Sequence, residues 1–181
     1  MLDVMIDLET MGTRPDAAIV AIGAVEFEAW PLPQIGRSLY LPVQLASSVA
    51  AGGTMDPATV LWWLQQDDAA RRELCSPAAV TLREALHRLA DWMTRHRPAA
   101  RLRVWGNGAA FDNVVLRGAY QRLGMDAPWQ WPDDRCFRTL RKMVPLVSAP
   151  EREGTAHHAL DDALHQARHA VAMQRALHAM G

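Results

Sequence analysis

The chain has 181 residues, half of them hydrophobic and 22% charged, with a formal net charge of −1. That length suits one domain, over residues 1–181, with one sizeable core. No apolar run is long enough to span a bilayer, and Met1-Leu2-Asp3-Val4 lacks the basic and apolar regions of a signal peptide, so the expectation is a cytoplasmic protein with no membrane partner. Cys75 and Cys136 fall in no metal-binding or redox spacing and read as reduced packing residues. Near-neutrality neither excludes nor demands a polyanionic partner, because the local field is what attracts phosphate. Lys142 is the only lysine. Arginine forks suit phosphates, but genome base composition accounts for the bias equally well.

Residues 2–8 read as a first strand and residues 18–28, rich in β-branched side chains, as a second. Gly23 inside the second hints at close backbone approach or a bulge. Pro31, Pro33 and Gly36 punctuate a turn before a third strand over 37–43, completing an antiparallel meander. Asp56-Pro57 then provides a cap followed by proline at the first helical position. The helix carries Val60, Leu61, Trp63 and Leu64. A second helical piece covers 68–74. A third starts after Ser76-Pro77 and runs to about Arg95, with Leu82, Leu86, Leu89, Ala90 and Met93 as its stripe.

Residues 102–105 form a short strand closed by Gly106-Asn107-Gly108, and a helix over 111–123 ends at Gly124. Residues 126–132 make a loop, 135–144 a helix, 145–154 a candidate mobile loop, and 160–180 a final amphipathic helix. Strands first, then helices alternating with short strands, predict an α/β domain: a mixed central sheet flanked by helices.

Three acidic segments stand out. In Asp7-Leu8-Glu9 the strand period of two puts both carboxylates on one face. Their repulsion calls for a positive charge between them, and hard oxygen ligands suit Mg²⁺ or Mn²⁺. Alone, the pair reads more readily as solvated charges at a strand end. Asp112 follows a glycine-rich turn and, alone, reads as a helix cap or dipole partner. His157-His158-Ala159-Leu160-Asp161-Asp162 enters the last helix. His157 and Asp162 would lie about 140° apart on an ideal helix, so they share a site only if His157 stands outside it. Thr155 is a candidate cap, either Asp161 or Asp162 suits the helix dipole, and His158 reads as a surface or supporting imidazole.

Together the three segments are far more specific. Asp7-x-Glu9-Thr10, Asn107-x-x-x-Phe111-Asp112 and His157-x-Ala159-x-x-Asp162 have the order and spacing of the DEDDh exonucleases. The chain resembles that superfamily, which includes RNase T, oligoribonuclease-like enzymes and polymerase proofreading subunits, over almost its whole length. His157, rather than Tyr, points to the His-bearing branch. The segment from Met55-Asp56-Pro57 to Trp62-Trp63-Leu64-Gln65-Gln66, with Ala70-Arg71, resembles a narrower group of small bacterial exoribonucleases of the RNase AS type and related phage exonucleases.

The resemblance implies an RNase H-like fold and a 3′-5′ exonuclease acting on single-stranded nucleic acid, RNA favoured over DNA. It implies two Mg²⁺ or Mn²⁺ ions on Asp7, Glu9, Asp112 and Asp162, with Asp7 bridging, and His157 as the general base. With four carboxylates so committed, the remaining side chains carry a small net positive charge. Thr10, Met11 and Gly12 occupy the place that walls off the terminal nucleotide in relatives. Met11 is either a wedge against the last base or a loop-packing residue. Of Trp62 and Trp63, about 100° apart on a helix, one is core; the other stacks a base, joins a dimer interface or is core as well. Trp105, Trp129 and Trp131 are open in the same way. Phe111 reads as a core anchor and Asn107 as a turn-shaping residue. The resemblance also permits a homodimer. Competing readings are a DNA exonuclease, a catalytically dead nucleic-acid-binding domain and an RNase H-type endonuclease. The intact five positions argue against the dead domain. The segment carrying His157 and Asp162 argues against the endonuclease.

Overall fold

The computed structural model describes residues 1–95 and 101–179. A five-stranded mixed sheet in the order β3-β2-β1-β4-β5 forms its centre. The strands β1 (Leu2–Thr10), β2 (Ile19–Glu28) and β3 (Gln34–Pro42) make the expected antiparallel meander. Strands β4 (Leu102–Gly106) and β5 (Asp134–Cys136) run parallel to β1 on its other side. The helices are α1 (Leu45–Ala50), α2 (Pro57–Leu64), α3 (Asp68–Glu73), α4 (Leu82–Thr94), α5 (Asp112–Arg122), α6 (Phe137–Met143) and α7 (Ala159–Ala179). None of them is long and apolar enough to cross a membrane.

Strand β1 is buried along its whole length, and its alternation divides the core. Leu2, Val4, Ile6 and Leu8 face the large cluster built with Leu86 and Leu89 of α4 and Leu116 and Tyr120 of α5. Met5 faces the other cluster, with Phe137 of α6 and Ala163, Ala167 and Ala170 of α7. Asp7 and Glu9 share the parity of Met5, so they emerge on the α7 side. A helix of small residues lies close to a sheet, and Gly23 takes this furthest. A Cβ built there would stand 2.2 Å from the carbonyl oxygen of Ala159, the first residue of α7. Gly23 is also the cross-strand partner of Asp7.

Several boundaries differ from the sequence-based expectation. The helix expected after Ser76-Pro77 starts only at Leu82, capped by the Thr81 hydroxyl. The preceding Val80 is extended because its N–H donates to Pro42 and its carbonyl accepts from Gln44. β3 begins at Gln34 rather than Arg37, and α1 was not foreseen. At six residues α1 is too short to show a periodicity, yet its buried Ser48 accepts from the Ile19 N–H at 2.8 Å and anchors the start of β2. Residues 134–136, part of them expected as helix, form the edge strand β5 instead. The irregular segment 145–158 is tied to α7 by Arg168–Glu153 and by His169 Nε2 at 2.9 Å from the Val147 carbonyl. The expected end of the last helix at Met180 lies outside the described residues.

Candidate active site

Three elements deliver the acidic residues to one place. β1 supplies Asp7 and Glu9, the start of α5 supplies Asp112, and the first turn of α7 supplies Asp162; all four line one cavity of about 640 Å³. One carboxylate oxygen each from Asp7, Glu9 and Asp162 lies within 4.8 Å of the others. Asp112 is buried and accepts from the Gly108 N–H at 3.1 Å. It reaches the cavity because Gly106 has no side chain: a Cβ there would meet the Asp112 Cβ at 2.8 Å.

The cluster is electrostatically loaded. Burial, then the nearby charges of Asp112, Glu9 and Asp162, push the Asp7 carboxyl well above the ordinary carboxylate range. A hydrogen bond from Gln166 opposes the rise: its Nε2 donates to Asp7 Oδ1 at 2.7 Å. Burial first, and then Asp162 and Asp112, raise Glu9 to about 8. Burial also raises Asp112, to about 6, against backbone N–H groups that favour its charged form. Among the described residues, Arg152 is the cation paired with the cluster, through Asp162.

A set of converging oxygen ligands, in which Asp7 and Glu9 are buried and disfavoured as anions, fits a hard divalent cation. Asp7, Glu9 and Asp162 would hold it, because their oxygens already converge.

His157 lines the same cavity. It stands outside α7 with φ +62°, and its N–H donates to Asp162 Oδ2 at 3.2 Å. This left-handed turn solves the helix-geometry problem, since both groups face one site despite a five-residue separation. The indole of Trp62 meets the imidazole edge-on at 4.9 Å between centroids. His158 does not line the cavity, and its ring lies against Tyr40 at 4.4 Å between centroids, tilted by 34°.

An adjoining apolar pocket of about 430 Å³ shares Leu8, Glu9, Thr13 and Phe111 with the carboxylate cavity. Thr10, Gly12 and the half-exposed Trp62 line it too. Trp63 is buried, and its indole N–H donates to the Thr10 carbonyl at 3.0 Å. The Thr10 hydroxyl donates to the Gly12 carbonyl at 2.8 Å, so it shapes the loop itself. Met11 lines neither pocket. It is 4% exposed and packs with Ala18, Val20, Trp63 and Ala70. This placement is that of the loop-packing alternative, with apolar neighbours drawing the side chain inward. Phe111 combines two places, packing on the main core and lining both pockets. Asn107 shapes its turn, accepting from the Arg138 N–H at 3.0 Å, and also lines the carboxylate cavity.

Sequence reasoning missed Gln166, Arg138, Arg141 and Arg152, all of which line this cavity. Gln166 had a signal: four residues beyond Asp162, it shares that residue's face of the helix. Arg152, in an irregular segment, had none.

A family model described as the Rv2179c-like 3′-5′ exoribonuclease domain matches residues 2–174. The exodeoxyribonuclease of Enterobacteria phage T4 is 25% identical over 126 residues, covering 64% of this chain and 54% of that protein, so the match spans about half the relative's length. Among solved structures, the nuclease domain of 3′hExo, a DEDDh family member bound to rAMP, aligns with a TM-score of 0.66 at 16% identity over 97% of this chain and 92% of that one. Exonuclease I of E. coli, in complex with a dA16 oligonucleotide, aligns with a TM-score of 0.63 at 17% identity, covering 96% and 40%. The fold is the RNase H-like fold of these neighbours. With the family model covering nearly the whole chain, the chain belongs to the Rv2179c-like 3′-5′ exoribonuclease domain family.

Proposed function

We propose that the protein removes nucleotides from the 3′ ends of single-stranded RNA by two-metal-ion hydrolysis. Asp7, Glu9 and Asp162 would hold one Mg²⁺ or Mn²⁺, and Asp112 would serve a second. The observation that carries this reading is the convergence of the Asp7, Glu9 and Asp162 oxygens within 4.8 Å, in a cavity that also holds Asp112 and His157. When bound, the ions supply Lewis acidity to the attacking water and positive charge opposite the leaving 3′-oxygen.

The remaining roles fall to the chain's own groups. His157 takes the water's proton on a ring nitrogen, its position fixed by the N–H bond to Asp162 and by the Trp62 ring. Trp62 offers its exposed face to the terminal base in the apolar pocket. Thr10 and Gly12, braced by Trp63, close the end of that pocket. A strand that cannot continue past this wall presents its terminal phosphodiester to the carboxylates, which accounts for removal from an end.

RNA is favoured by the description of the matching family model. DNA is the second reading, favoured by the name of the phage relative. The test is digestion of matched 5′-labelled single-stranded RNA and DNA with Mg²⁺ or Mn²⁺, with Asp7→Asn as control. A ladder shortening from the 3′ end, faster on RNA and absent in the control, supports the proposal. Faster shortening of DNA transfers it to the second reading. Activity retained in Asp7→Asn refutes the metal assignment.

A further inference from the structure

Helix α6 presents a basic face that the roles above leave unused. Arg138 and Arg141, three residues apart and exposed, both line the carboxylate cavity. Neither forms a salt bridge among the described residues, whereas Arg152, also lining the cavity, is paired with Asp162. The buried Phe137 and the bond from the Arg138 N–H to the Asn107 carbonyl fix α6 against the end of β4. The Arg138 guanidinium lies over Gly108, its carbon 3.7 Å from where a Cβ of that residue would stand.

The two pockets order a bound strand. The apolar pocket contains no basic residue and one carboxylate besides Glu9, that of Asp56, so it suits a nucleoside and repels phosphate. It meets the carboxylate cavity along Leu8, Glu9, Thr13 and Phe111. With the terminal nucleoside in the first and the scissile phosphate in the second, the rest of the strand leaves across the cavity's remaining walls. The α6 wall is where unpaired cations stand.

Resting on the carboxylate reading above, we propose that Arg138 and Arg141 form a backbone-holding subsite. They bind the phosphodiesters on the 5′ side of the scissile bond, and so make the enzyme prefer a chain to a dinucleotide. Guanidinium forks suit this role because they contact phosphate oxygens in pairs without reading the base.

The test compares Arg141→Ala, Arg138→Ala and the double variant with wild type. The substrates are a dinucleotide and an oligonucleotide long enough to cross α6, at several salt concentrations. Arg141→Ala is the cleaner single variant, because Arg138 also acts electrostatically on Asp112. The expected result is a raised KM on the oligonucleotide with a smaller change in kcat, and a reduced preference for it over the dinucleotide. The plot of log(1/KM) against log salt should become shallower by about 0.7 for each arginine lost. Arg→Lys variants should recover part of the slope. Equal losses on both substrates, or an unchanged salt slope, overturn the subsite. Wild-type protein inert on both substrates overturns the carboxylate reading itself, and the subsite with it.

Discussion

The amide of Gln166 donates to Asp7 from a distance of 2.7 Å, one full turn of α7 beyond Asp162. Gln166 is buried, and its carbonyl Oε1 finds no hydrogen-bond partner among the described residues. A donor on one oxygen of Asp7 orients the carboxylate and favours its charged, ligating form. Gln166→Leu should therefore keep the fold but weaken Mn²⁺ binding by about 10–100-fold. Calorimetric titration of the purified variant measures this, and unchanged affinity would exclude the role.

His157 should separate binding from turnover. It touches Asp162 through its backbone N–H, so His157→Ala removes the imidazole and leaves that bond. We expect metal affinity close to wild type and single-turnover cleavage slower by roughly 10²–10⁴-fold. Wild-type cleavage rates in that variant would remove His157 from the chemistry.

The carboxylate cluster predicts an unusual pH dependence for the metal-free protein. Glu9 is raised to about 8, and Asp7 is raised in the same direction, both chiefly by burial. A raised carboxyl binds its proton more tightly folded than unfolded. Its contribution to stability is complete below the unfolded carboxylate range and is lost as pH rises through about 8. Melting temperature in EDTA should thus fall from mildly acidic pH toward pH 8, and saturating Mg²⁺ should flatten the decline. A metal-free melting temperature that holds or rises over this range would contradict the assignment.

The adjacent tryptophans should behave as different residues. Trp63 is buried and bonded to Thr10, so Trp63→Ala should cost about 3–5 kcal/mol of stability. Trp62 is 40% exposed on the apolar pocket. Trp62→Ala should melt near wild type while losing about 1–3 kcal/mol of oligonucleotide binding. Paired thermal melts and binding isotherms check both, and a Trp62→Ala variant that binds normally would remove the stacking role.

Local patterns made part of this architecture legible. Period-two alternation was enough to place Asp7 and Glu9 on one face, and helix geometry was enough to show that His157 and Asp162 share a site only if His157 stands outside α7. The different burial of Met11, Trp62 and Trp63 follows from packing between distant segments, which periodicity does not encode. β5 was missed because a three-residue edge strand is defined by pairing with β4, not by its own composition. Arg152 reaches Asp162 from an irregular segment, where residue spacing implies no direction. The convergence of Asp162 on β1 depends on how deeply α7 sits, a property of the sheet beneath it.

That depth returns to Gly23, opposite Asp7 on β2 and directly under the start of α7. Any side chain there would act as a shim, lifting the helix and carrying Asp162 away from Asp7 and Glu9. Every chemical group of the site would still be present, and an inventory of acidic residues would score such a chain as intact. An enzyme of this design can thus be disarmed by a single methyl group placed where no reacting atom ever comes.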